Sequence, residues 1–374
     1  MAGSVFVTFA RKIVVQGGLE MKRFAIGALS LVFLLGIAIS AMAQAPSYTQ
    51  FGKYKKEPPY KIGFSYHGGG IDYDIQFDAA IKWLANKEYG SLISNLYMTD
   101  AQFDVAKQQA DVEDLIAKGI DGLIISPVSP SAEVSLINSL YDKGIPVVVV
   151  LGEYDGNKYT AYRASNAQDF GRIGAEWMVQ QLIKKVGSPK GSLIVLHGVP
   201  GAAAEIGRWD RGAKPVFAKY PQIKIVGEGA GQWAYDEGKR VITTLLAANP
   251  KADMIWSCGG QMSLAAAEVC AANGRYDCII SGEDYNGLFK FWIANKSKGF
   301  SCIAPTFPSW IANTGFDAMI QVLLGQTVQV KEVFPPPTIT DDTVRNYVVP
   351  SLPDTIWVAT ALPKAVLQEM YGKK

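Results

Sequence analysis

The chain has 374 residues, more than one ordinary domain holds, so two domains are expected. Hydrophobic residues make up 49% and charged residues 19%, which supports packed cores and excludes wholesale disorder. Thirty-six Lys and Arg against 34 Asp and Glu leave a net +2, no basic footprint for nucleic acid. Arg11, Lys12, Lys22 and Arg23 against Glu20 put +3 into residues 1–43, so the remainder carries −1.

Lys22-Arg23 precede the apolar run FAIGALSLVFLLGIAIS, which exits through Ala41-Met42-Ala43 into the polar QAPSYTQ. A basic start, an apolar stretch and a small-x-small exit are the parts of a secretory signal. Cleavage after Ala43 and export to the periplasm are expected, with an uncleaved anchor as the alternative. No basic stop-transfer flank follows the run, and no Cys at its exit offers a lipid anchor. Residues 1–20 do not look like a signal's basic region, which leaves the start open between Met1 and Met21.

Export permits disulfides. Cys258, Cys270, Cys278 and Cys302 fall within 45 residues, none in a CxxC or His-paired zinc spacing. Cys270 and Cys278 flank AANGRYD, a turn from helix end to strand start where a local disulfide can form. Four buried thiols is the alternative, because Cys packs as a small hydrophobe.

From residue 60 short apolar runs alternate with longer amphipathic ones. KIGFSY (61–66), SLISNLYM (91–98), DGLIISP (121–127) and IPVVVVLG (145–152) read as strands. Helices at 73–90, 104–119 and 131–144 lie between them, closed by Gly90, Gly119 and Gly144 as left-handed caps. The rhythm restarts with helix 167–186. Strands SLIVLHG (192–198), IKIVGEG (223–229), DMIWSC (253–258) and CIISGED (278–284) follow, alternating with helices 205–219, 235–248, 262–272 and 285–295. FSCIAPTF and helix 310–324 complete the pattern. Unbroken Ile/Val/Leu runs are what a parallel sheet covered on both faces demands. Two such series give an α/β fold of two doubly wound, Rossmann-like lobes. Ligands of these sheets lie beyond the carboxyl ends of the strands, here in the cleft between the lobes.

DVEDLIAKGIDGLIISPVSPSAEVSLINSLYDKGIPVVVV, RASNAQDFGRIGAEWM, QMSLAAAEVCAANGRYDCIISGED and PPPTITDDTV together resemble the ribose-binding-protein type of periplasmic solute-binding protein, over roughly residues 60–345. The resemblance implies a type I periplasmic binding protein fold with three crossings, near Ser165–Asn166, Pro305–Thr306 and Phe334–Pro335. The N-terminal lobe would then comprise 60–165 plus 306–333, taking in helix 310–324. The C-terminal lobe would comprise 166–305 plus 334–358, after the 1–43 signal and extension and before a 359–374 tail.

No catalytic signature survives. GEGAGQ (227–232) ends in Gln232 where the dinucleotide fingerprint needs Gly, and WAYDEGK has Trp233 where a phosphate loop needs its first Gly. GxSxG and HExxH are absent from the sequence. A binding site for sugar asks for aromatic faces and hydrogen-bonding side chains on strand-end loops. After the first strand, HGGGIDYD offers His67, Tyr73 and Asp74. The resemblance places aromatics at the start of the next helix, which Tyr73 matches and Asp74 only partly. Gly152-Glu153 stands where the family's pentose binders usually have Asp-Arg. Asn166 matches a hinge-side polar residue. Arg208 in GRWDRG matches the second lobe's arginine, with a solvated helix face as the alternative. Trp233 matches a sugar-stacking aromatic, or is a core residue. Gly259-Gly260 replaces a common Asn-Asp, for which Gln261 can compensate. Asp284 matches an acidic hydroxyl acceptor, with Glu283 beside it as the alternative. Thr306 stands at the second crossing.

The expected function is an exported binding protein, not an enzyme. It needs no cofactor or metal, is monomeric, and hands a small sugar or polyol to the membrane permease of an ABC importer. The alternative is a periplasmic sensing subunit for a membrane kinase or chemoreceptor. A repressor would need a helix-turn-helix in residues 1–60, where the apolar segment stands instead.

Overall fold

The computed structural model describes residues 47–360 and 362–372, so the expected signal and its cleavage site lie outside the described residues. The chain builds two six-stranded sheets. The first contains β1 (Tyr60–Tyr66), β2 (Ile93–Asp100), β3 (Gly122–Ile125), β4 (Val147–Leu151), β5 (Ala161–Ser165) and β11 (Lys331–Phe334), ordered β11-β5-β4-β3-β1-β2. The second contains β6 (Gly191–His197), β7 (Ile223–Ala230), β8 (Met254–Ser257), β9 (Ile279–Ser281), β10 (Cys302–Pro305) and β12 (Thr338–Ile339), ordered β12-β10-β9-β8-β6-β7. The two orders are the same topology run twice. All pairings are parallel except β10 with β12.

Burial follows position in the sheet. The central strands GLII and VVVVL are buried at every residue, whereas the edge strands β2 and β7 keep half-exposed faces. The covering helices are α1 (Asp72–Lys87), α2 (Val105–Ala117), α3 (Val134–Asp142), α4 (Ala167–Val186), α6 (Tyr235–Ala248), α7 (Gly260–Ala272), α8 (Asn286–Asn295) and α9 (Trp310–Leu323). Between β6 and β7 runs α5, residues 203–218, which is wound as a π-helix over Ile206–Ala213. Short α10 (Val344–Tyr347) and α11 (Lys364–Tyr371) close the chain.

Asp104 caps α2 by accepting the Lys107 amide, and Asn166 caps α4 by accepting that of Asp169. Gly119 (φ +72°) and Gly144 (φ +79°) take the left-handed turn expected after their helices. Gly90 does not; α1 ends earlier, at Lys87, and Gly90 lies outside the left-handed region. The chain leaves the first sheet after Ser165, returns after Pro305 and leaves again after Phe334. On the return, α9 packs on β3, β4 and β5 of the first sheet.

The bridge expected between Cys270 and Cys278 is not formed. All four cysteines are buried free thiols, and Cys270 and Cys278 both pack in the core of the second lobe. They fill space there as small apolar side chains.

Candidate functional site

The switch points of the two sheets, where β1 neighbours β3 and β6 neighbours β8, face each other across a cleft. The cleft holds about 630 Å³ of empty space counted out to its mouth, within the range of small-molecule sites. The lobes touch around it: Ala203 N–H donates to the Val128 carbonyl at 3.1 Å, and the Tyr285 hydroxyl donates to Asp72 at 2.8 Å. At the rim, Arg211 of α5 binds Glu153 at 3.1 Å and Asp155 at 2.9 Å.

His67, Tyr73, Asp74, Arg208, Trp233 and Gln261 line the cleft, as the sequence reading expects of them. His67 ends β1. Its Nδ1 lies 2.6 Å from the Ser126 hydroxyl, and burial pushes its pKa down to about 3, so the ring is neutral. Asp74 stands in the first turn of α1, where it accepts the Tyr66 hydroxyl and the Ile71 amide. Burial raises its pKa to about 7 against those two bonds.

Arg208 lies in the π-wound run, its guanidinium 4.2 Å from the Phe170 ring centre and 4.6 Å from that of Phe307. It donates to the Cys258 carbonyl at 2.6 Å and, two-pronged, to Glu283 at 2.9 and 3.3 Å. The Gly260 amide donates to the same carboxylate at 3.1 Å. Burial raises the Glu283 pKa to about 7 even though Arg208 pulls it down. Arg208 and Glu283 hold each other in place, and one donor, Arg208 Nε, is left without a partner.

Three more buried polar atoms on the cleft wall lack partners: the Tyr73 hydroxyl, Gln261 Oε1 and Trp357 Nε1. Such atoms cost free energy unless something binds them. Between them stand the faces of Phe103, Trp233, Phe307 and Leu151.

Asp284, Asn166, Glu153 and Thr306 are not on that wall. Asp284 holds the C-terminal segment instead: its Oδ2 accepts the Ala359 amide at 2.8 Å and its carbonyl that of Val358 at 3.0 Å. Asn166 caps α4, and Glu153 serves the rim ion pair. Thr306 is buried, its amide donating to the Pro337 carbonyl at 2.8 Å. The wall residue next to Asp284 is Glu283, its alternative.

The glycines Gly259 and Gly260 make room for rings. A Cβ on Gly259 would stand 2.7 Å from Trp233, and one on Gly260 2.7 Å from Tyr285 Cβ and 3.3 Å from the Trp357 ring. Indoles occupy the space that side chains at 259 and 260 would need.

Phe103 and Trp357 escaped the sequence reading. Phe103 carries a repeat that went unread. His67-Gly68 and Gln102-Phe103 recur 130 residues later as His197-Gly198 and Gln232-Trp233. In both units the Gln and the aromatic residue have positive φ, between 52° and 58°, and the ring lies on the glycine. Phe103 and Trp233 then meet across the cleft, 5.8 Å between ring centres. Trp357 has no such signal.

The sequence profile of the periplasmic binding protein domain matches residues 62–327. The chain belongs to that family. A ribose import binding protein of Bacillus subtilis is 26% identical over 306 residues, 81% of this chain and 95% of that one. A xylitol-binding protein of Mycolicibacterium smegmatis is 29% identical over 251 residues, 67% and 69% of the two chains. Among solved structures, an ABC transporter solute-binding protein of Bacillus halodurans C-125 with bound myo-inositol superposes with TM-score 0.65 at 23% identity, covering 78% of this chain and 98% of that one. For members of this family, two lobes around a ligand cleft is the shared architecture, and the paired sheets here supply it.

Proposed function

We propose that this chain is an exported, monomeric solute-binding protein without catalytic activity. It captures a small neutral polyhydroxylated molecule, a sugar or polyol, between its lobes and presents it to the membrane permease of an ABC importer. One observation carries the ligand class. The cleft arginine is engaged by Glu283, and four hydrogen-bonding atoms stand unpartnered among aromatic faces. Hydroxyl groups both donate and accept, so they satisfy Tyr73, Arg208 Nε, Gln261 and Trp357 alike, while C–H faces pack on Trp233 and Phe103. Among the described residues Arg208 is the one Lys or Arg on the cleft wall, and its terminal nitrogens are already taken by Glu283 and the Cys258 carbonyl. The names of the ribose- and xylitol-binding relatives support the same class.

The three places where the chain passes between the sheets serve as the hinge for opening and closing, so that 60–165 with 306–333 moves against 166–305 with 334–358. Ligand contacts to both lobes favour the closed arrangement.

The test is a thermal-shift screen of the exported chain against D-ribose, xylitol, myo-inositol and anionic sugars. A ligand that binds only the folded state raises the melting temperature. Neutral polyols should do so and sugar phosphates should not. Stabilisation by the phosphates alone would reject the neutral-ligand reading. Trp233→Ala should then weaken calorimetric binding of the active polyol by about 1–3 kcal/mol, the worth of a large buried aromatic contact.

A further inference from the structure

Residues 349–372 lie beyond the part of the chain that the family profile matches, yet they reach into the cleft. They are held from both sides. On the second lobe, the Asn286 side chain donates to the carbonyls of Val349, Leu352 and Pro353 at 3.0, 3.2 and 2.9 Å, and accepts the Val349 amide at 2.9 Å. Its own amide donates to the Ile356 carbonyl at 2.8 Å. On the first lobe, Leu352, Ile356, Leu362 and Leu367 form an apolar cluster with Ala80 and Trp83 of α1.

The two attachments converge on Trp357. Its carbonyl accepts from the Gln76 amide group at 2.7 Å, and its N–H donates to the Gln76 oxygen at 3.0 Å, so one buried side chain of α1 pins both backbone groups. The residues on either side, Ile356 and Val358, bond to Asn286 and Asp284 of the other lobe. The indole is 4% exposed, stands edge-on to Tyr73 at 5.2 Å and covers Gly260. Its Nε1 is buried and unpartnered on the cleft wall.

We propose that this C-terminal segment is a strap between the lobes and that Trp357 is a specificity-determining residue. The strap closes one side of the cleft with an indole whose N–H donates to a ligand hydroxyl, and Gln76 is the positioning residue that sets its depth. The ligand half of this inference rests on the sugar or polyol reading; the strap half does not. Because the indole fills the space above Gly260, the strap also limits the cleft to small ligands.

The experiment uses the full mature chain. Wild type is titrated calorimetrically with D-ribose, xylitol and myo-inositol, and the tightest of these is carried to the variants. Trp357→Phe keeps a ring and loses the N–H, and should weaken that probe about five- to tenfold, the worth of one hydrogen bond. Trp357→Ala should weaken it further. Gln76→Leu leaves the indole intact, and should lower affinity while speeding hydrogen exchange at the Trp357 amide. A folded Trp357→Ala that binds the probe as wild type does would overturn the specificity role. Should none of the three probes bind wild type, the sugar or polyol reading fails for them, and hydrogen exchange still decides the strap. A Trp357 amide in wild type that exchanges like an unstructured one would overturn it, with no variant needed.

Discussion

At the scale of single residues, the Arg208–Glu283 pair decides both charge and stability. Both side chains are almost wholly buried, and apart from Arg208 Nε they bond to each other and to the backbone at Cys258 and Gly260. Removing one partner of such a pair leaves an uncompensated charge in low dielectric. Arg208→Met, which keeps most of the volume, should therefore cost about 3–5 kcal/mol in urea unfolding at pH 8. The loss should shrink toward pH 5, where Glu283 takes a proton, and Arg208→Met with Glu283→Gln should recover much of it. An equal loss at both pH values would show that lost packing on Phe170 and Phe307, not charge, is responsible. Arg208 and Trp233 were legible because motif and strand end placed them together. Sequence position alone cannot say which of two adjacent carboxylates, Glu283 or Asp284, lines the cleft wall; the structure puts Glu283 there and leaves Asp284 Oδ1 buried without a partner. Here the answer is fixed by Ala359, 75 residues further along the chain.

At the scale of elements, the strands with unbroken apolar runs could be read directly, and those without could not. The strand β5, AYRAS, is buried throughout yet contains Arg163, whose guanidinium is satisfied by Glu332 at 2.7 Å and by the Gln329 carbonyl at 2.7 Å. Those partners arrive from some 166 residues away, so local pattern gave no warrant for a strand there. The short β11 and β12 escaped for the same reason. The π-winding of α5 was likewise invisible, although the sequence leaves room for it at Gly171. A Cβ there would fall on the Arg208 carbonyl oxygen and 2.9 Å from the Ala213 nitrogen, so α4 and the π-wound run approach backbone to backbone. Gly171→Ala should destabilise the protein by about 1–3 kcal/mol, as overpacking does, and weaken ligand binding because the displaced run carries Arg208. Gly174→Ala is the control. Its nearest contact would be Ser281 Cβ at 3.3 Å, a fit that a few tenths of an ångström of relaxation restores. Equal losses in the two variants would remove the argument for close approach.

At the scale of the whole molecule, two copies of one topology face each other, and the polar groups that serve the cleft are buried with incomplete partners. The rhythm of strands and helices made that architecture legible from residue 60 onward. The strap was not, because its placement depends on contacts between the C-terminal segment and α1 about 280 residues earlier. Burying these groups has a consequence for pH. Burial raises the carboxyl pKa of Asp74 to about 7, Glu283 to about 7 and Asp284 to about 6. In the unfolded chain these groups titrate near 4, so between pH 4 and 7 the folded state binds more protons. Stability must therefore fall as pH rises through that window, and the loss is complete above the folded values. His197 adds to the same trend. Burial opposes its charge, but Glu205 and Glu228 outweigh this and hold its pKa above normal, so its contribution is lost as pH rises through the raised value. His67 works the other way. Its pKa, lowered to about 3, costs stability as pH falls below 6.5, but it is one group against three carboxyls. The melting temperature of the unliganded chain should therefore be higher at pH 5.5 than at pH 8, and Asp74→Asn should flatten the slope. A melting temperature that rises from pH 5.5 to 8 would mean that these buried carboxyls stay ionised in the folded chain, reached by solvent that the closed arrangement excludes.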